Sequence, residues 1–132
     1  MLSFDVIETG AYCGIQEAGN QLITNAEDWS ALWKRFGSNR IPPPEMPPID
    51  FEKQYVVANF LGMKTSGGHG YEISSMNVAD GVLNVKLLHS APGQNCMVTD
   101  ALTQPFVFAK VNKENINSAT FELETRVDNC DN

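Results

Sequence analysis

The chain has 132 residues, 42% of them hydrophobic, which is enough for one hydrophobic core that needs neither a metal nor a disulfide framework to hold it. Sixteen acidic residues against nine scattered basic ones give a formal charge of −7, so DNA and RNA are not expected partners: phosphate binding draws its affinity from clustered Lys and Arg. No run approaches the roughly 20 apolar residues that cross a bilayer, and the opening Met1-Leu2-Ser3-Phe4-Asp5 lacks the basic and apolar regions of a secretory signal.

In chain order, residues 2–7, 12–16 and 21–24 read as short strands separated by Gly10 and by the turn pair Gly19-Asn20. Thr24-Asn25-Ala26-Glu27 has the form of a capping box and predicts a helix from there to Gly37. Trp29, Leu32, Trp33 and Phe36 recur at helical spacing on one face, which predicts core packing on a sheet ahead of a ligand platform. Residues 38–50 contain five of the seven prolines and read as an extended connector, a stiff spacer more than a polyproline ligand.

The second half reads as strands. Residues 55–61 form a continuous apolar run suited to a central strand buried on both faces. Tyr71 and Ile73 share one parity and Met76 and Val78 the other, which predicts a bulge near Ser74-Ser75. Asp80-Gly81 closes a hairpin onto a strand carrying Leu83, Val85 and Leu87, and residues 106–111 and 121–127 complete the set, the last of them half exposed. The expected fold is α+β: a single domain over residues 1–132 with a curved, mostly antiparallel sheet of about eight strands, a sandwich or open barrel, and one amphipathic helix packed on it.

The chemistry-bearing residues specify no reaction. The loop Lys64-Thr65-Ser66-Gly67-Gly68-His69-Gly70 leads into a strand, not the helix that a phosphate loop requires, so its glycines are read as backbone necessities. His69 stands in this loop without an acidic or histidine neighbour at ligand spacing, and His89 at a strand end is expected to bond a backbone group. Asp100 and Glu72 form no recognisable carboxylate pair. Cys96 reads as a buried small hydrophobe, since a nucleophile needs a base beside it, and a thiol enzyme built on Cys96 and a histidine ranks last. The three cysteines leave an odd one out, and a Cys13–Cys130 bridge forms if the last strand pairs near the N-terminal strands. No catalytic residue, metal ligand or cofactor is expected.

The segment from Pro92-Gly93-Gln94-Asn95-Cys96-Met97-Val98-Thr99 through Asp100-Ala101-Leu102-Thr103-Gln104-Pro105-Phe106 closely resembles the core motif of the PrcB C-terminal domain family. Residues 50–51, 55–62 and Thr65 to Ile73 are similar to that family's earlier motifs, so the resemblance runs over most of residues 25 to 125. The family's usual loop is a shorter Thr-Gly-Gly-Tyr, and the added residues around His69 are a departure. The resemblance implies a non-catalytic subunit that binds and stabilises a protein partner, a protease being the model, in an extracytoplasmic compartment. Contact is then expected from two loops, through Thr65, Ser66, Gly67, Gly68, His69 and Tyr71 in the first and Gln94, Asn95, Met97, Thr99, Thr103 and Gln104 in the second. Whether Met97, Val98 and Leu102 face a partner or the core is left open by the sequence. A small protease inhibitor presenting glycine-containing loops is the alternative.

Overall fold

The computed structural model describes residues 2–130, with seven strands and one helix: β1 (Asp5–Gly10), β2 (Gly19–Ile23), α1 (Ala26–Phe36), β3 (Gln54–Phe60), β4 (Gly70–Ala79), β5 (Val82–Pro92), β6 (Phe106–Asn112) and β7 (Ser118–Asp128). Two sheets form, ordered β1-β6-β3-β2 and β4-β5-β7. Every pairing is antiparallel except β5 with β7. The fold is α+β without a closed barrel, and no helix among the described residues is long and apolar enough to cross a membrane.

Helix α1 starts one residue later than the capping-box reading places it. Asn25, not Thr24, is the N-cap: its side-chain oxygen accepts from the Asp28 amide at 2.8 Å and its side-chain amide donates to Asp28 Oδ2 at 3.0 Å. Gly37 ends the helix as expected, donating to the Trp33 carbonyl at 2.9 Å. The stripe of Trp29, Leu32, Trp33 and Phe36 is buried. Both indoles also donate outward, Trp29 Nε1 to Pro47 O at 3.2 Å and Trp33 Nε1 to Pro44 O at 2.9 Å. These two bonds strap the proline-rich connector across the helix, and they satisfy the polar handle that a buried indole carries.

The four-stranded sheet is the middle of three layers. One face sets Ile23, Val56, Ala58, Phe60, Phe106 and Phe108 against the helix. The other sets Val57, Val107, Ala109 and Val111 against Ile73, Met76, Leu83, Val85 and Leu87 of the second sheet. Burial on both faces is why β3 and β6 read as continuous apolar runs. Asn59 interrupts the run; its amide donates to Val107 O at 3.2 Å, and its Oδ1 is buried with no protein partner among the described residues.

Residues 12–16 are irregular where a strand was expected. Cys13 and Ile15 point into the helix-side core, and the Gly14 amide donates to Phe36 O at 2.8 Å, so this backbone is tied to the helix end and not to a ladder. The β4–β5 hairpin is as read. Asp80 and Gly81 take φ of 52° and 80°, the two positive values that a tight two-residue hairpin turn demands, and the register shifts between Ile73 and Ser75. β5 runs on to Pro92, three residues past His89, which was expected at the strand end, and so sets His89 within the sheet.

The parallel strand β7 decides the cysteine pairing. From β5 the chain crosses to β6 in the other sheet and returns to enter β7 beside the start of β5, so Ser118 pairs with Val82 and Asp128 with Pro92. That register carries Cys130 to the loop after Pro92. The disulfide is Cys96–Cys130, and Cys13 is the free, buried thiol. The Cys13–Cys130 expectation fails because β7 pairs with β5 and with neither N-terminal strand, and Cys96 is a bridge residue at the surface, not a buried hydrophobe.

Candidate functional site

The two loops expected to carry contacts meet in space. The β3–β4 loop and the β5–β6 loop run antiparallel at Lys64 and Thr103, whose amides and carbonyls exchange bonds of 2.8 and 2.9 Å. Gly67 N donates to Thr99 O at 3.0 Å, and Thr103 Oγ1 donates to Ser66 O at 2.9 Å. Close approach explains the paired glycines: a Cβ on Gly67 would meet Thr99 Oγ1 at 2.6 Å, and one on Gly68, at φ +87°, would meet Val98 Cγ1 at 2.7 Å. The second loop is tied in turn to the end of β7 by Cys96–Cys130, by Gly93 N to Asp128 O at 2.9 Å, and by Asn95, which bonds both the amide and the carbonyl of Cys130.

On this fixed platform several large apolar side chains face solvent. Met97 is 100% exposed and Leu102 53%, and Val98 on the same loop and Met63 on the other are also exposed. The alternative in which Met97, Val98 and Leu102 fill the core is therefore not what the chain does. Thr65, Gly68, Gln94, Asn95 and Thr99 are exposed, and Ser66, Gly67 and His69 half-buried, on the same two loops. Three of the expected residues serve the fold instead. Thr103 is 2% exposed and consumed by its bonds to Lys64 and Ser66. Gln104 is occupied by Cys13, accepting from its amide at 3.4 Å and from its thiol at 3.6 Å. Tyr71 packs on the inter-sheet core, where burial pushes its hydroxyl up to about 12.

Beneath the platform lies a contact that the sequence reading missed. His69 Nδ1 and His89 Nε2 are 2.9 Å apart, with ring planes at 24° and centroids 5.1 Å apart, so the imidazoles lie end to end in an N–H···N hydrogen bond. Thr125 Oγ1 flanks His89 Nδ1, and Ser66 Oγ flanks His69 Nε2, each at 3.5 Å. Such a bond needs at least one neutral ring. Burial lowers the pKa of both histidines, the neighbouring His69 lowers that of His89 further, and the Lys64 charge acts on both in the same direction. Among the described residues, no group of three or more His, Cys, Asp or Glu is placed to hold a metal ion. The expectation that His69 has no histidine neighbour is thus corrected, and His89 bonds a ring, not a backbone group. The signal was present: hairpin pairing from Asp80-Gly81, carried through the bulge, sets Tyr71 opposite His89 with His69 two residues away.

The comparisons with known proteins bear on this same stretch. No curated protein and no solved structure matches the chain. The family model described as PrcB C-terminal matches residues 55–112, a span that runs from β3 to β6 and includes both platform loops and the histidine pair. Over that span the chain is similar to the PrcB C-terminal family.

Proposed function

We propose that the chain is a non-catalytic protein-interaction domain that binds an exported protein, a protease or a component of a protease complex, through the two-loop platform. The observation that carries this reading is the group Met63, Met97, Val98 and Leu102, apolar and outward-facing on loops fixed by hydrogen bonds and a disulfide. Pre-ordered loops lose little entropy on binding, and exposed Met and Leu supply the apolar anchors of an interface core. The family's name supports a protease-complex setting. The Cys96–Cys130 bond supports an extracytoplasmic one, because disulfides persist in oxidising compartments.

Affinity purification from the native cell, with wild type and a Met97→Asp/Leu102→Asp variant side by side, tests the reading. The expected result is an exported protease or its subunit recovered with the wild type and lost with the variant. Equal recovery with both chains would take the platform out of the interface. A second reading, a small protease inhibitor, is favoured by one observation: Met97 stands fully exposed directly after the tethered Cys96, as a side chain offered to a cleft does. Inhibition of a peptidase panel by the isolated chain, abolished by Met97→Asp, would move the function there.

A further inference from the structure

Of the four sheet edges, three are blunted. β1 is six residues long with a register shift between Val6 and Glu8, β2 is five residues long and starts at a glycine, and β4 has a bulge and is covered by Leu2, whose amide donates to Met76 O at 2.9 Å. Short strands, bulges and covering segments are how sheets avoid pairing with other chains. β7 has none of these devices. It runs eleven residues in unbroken register with β5 and contains no lysine, proline or glycine. Among the described residues, no backbone hydrogen bond joins residues 119–127 to any strand but β5.

The side chains of this open edge are self-complementary. Ala119 and Phe121 pack on the inter-sheet core, but Leu123 and Val127, on the same face, are 51% and 62% exposed. The other face carries Thr120, Glu122, Glu124 and Arg126. We propose that β7 pairs antiparallel with β7 of a second copy of this chain about a two-fold axis at Thr125, joining the two three-stranded sheets into one of six. In that register Leu123 lies opposite Val127 of the second copy and Glu124 opposite its Arg126, each pair occurring twice as two-fold symmetry requires. Glu122 then faces Asp128 of the second copy, whose carboxylate Arg126 already holds at 3.1 Å. An axis at Leu123 would instead set Glu122 against Glu124 twice, and an axis at Glu124 would set that carboxylate against itself. Burial of the two exposed apolar pairs drives the association, and the Glu–Arg pairs fix its register.

Sedimentation equilibrium of the full chain at micromolar concentration reads the state, and three variants, each with one introduced cysteine, read the register. The expected result is the mass of two chains for wild type and of one chain for Leu123→Lys, whose charge at the edge opposes pairing. In a glutathione redox buffer Thr125→Cys should cross-link to its own copy, because directly opposed residues place their Cα atoms within disulfide reach, while Leu123→Cys and Glu124→Cys should not. Far-ultraviolet melting of each variant confirms that it folds. A single-chain mass for wild type overturns the proposal, and so does cross-linking of Leu123→Cys or Glu124→Cys in preference to Thr125→Cys.

Discussion

The two faces of the four-stranded sheet are closed in opposite ways. On the helix side aromatic rings interlock: Phe36 meets Phe106 and Phe108 at centroid distances of 4.7 and 4.9 Å, Trp29 meets Phe108 at 5.8 Å, and the proline connector seals the outside through two indole bonds. On the other side the second sheet is buried through β4 and β5 and then runs out into solvent along β7, with the loop platform at one end. Both faces bury an apolar core, but the large aromatic side chains are on the first, and the exposed apolar side chains of β7 and the loop platform lie on the second. Perturbing each in turn separates the two roles.

The largest effect is expected at the helix. Removal of a large buried aromatic side chain costs about 3–5 kcal/mol, and Trp33→Ala also deletes the bond that holds Pro44. Its urea denaturation midpoint should fall accordingly, with the platform loops responding only through global unfolding. A midpoint close to wild type would show that the aromatic stripe does not hold the sheet.

Next is the bridge on the opposite side. Cys96 and Cys130 are 34 residues apart, and closing a loop of that length stabilises by about 3–4 kcal/mol in the chain-entropy model. Cys96→Ser/Cys130→Ser should lower the midpoint by up to that amount, and hydrogen exchange should rise first at residues 93–104. Thiol titration of denatured, unreduced protein should find one thiol, Cys13, with Cys96 and Cys130 in one cross-linked peptide. Three free thiols after oxidative preparation would remove the tether and with it the fixed platform.

A smaller effect, confined to the same side, comes from the histidines. Both folded-state pKa values lie below the ordinary 6.5, so as pH falls the unfolded chain takes up protons first. The stabilisation is therefore present above that ordinary value and is lost as pH drops below it toward the depressed folded values. Doubly charged rings also cannot keep their shared hydrogen bond. Between about pH 8 and pH 5 the wild type should lose more stability than His69→Gln, which keeps only one of the rings. Identical pH profiles for the two chains would mean that the pair contributes nothing to holding the loop.

Much of the helix side was legible in the sequence because its signals are local. The i, i+3, i+4, i+7 stripe, the glycine stop and the proline density each concern neighbours within two turns, and the N-cap error is a one-residue choice between Thr24 and Asn25. The apolar run of β3, the bulge at Ser74 and the Asp80-Gly81 turn were legible for the same reason. β7 was visible as a strand, but its alternation is the same whether it runs parallel or antiparallel to its neighbour. Nothing local could therefore say that Cys130 reaches Cys96 instead of Cys13. Of the candidate site, both loops could be picked out from their composition but not their meeting in space, and Thr103 and Gln104 look like adaptable surface residues until the fold hands their polar groups to Ser66 and Cys13.

The smallest expected change in stability is the one that most sharpens the contrast between the two faces. Met97 is large and apolar, so by residue type alone Met97→Asp resembles Trp33→Ala as a core-breaking substitution. Its side chain has full solvent exposure, however, and a surface substitution away from caps and core changes stability by about 0.5 kcal/mol at most in either direction. Removing an exposed apolar group forfeits no burial, because none is made until a partner arrives. Met97→Asp should therefore melt like wild type while losing the partner, the reverse of what a residue packed under the loop would do. If its urea midpoint instead drops by a core-sized amount, Met97 is packed in solution, the platform is not an open surface, and the apolar group proposed as the anchor belongs to the fold.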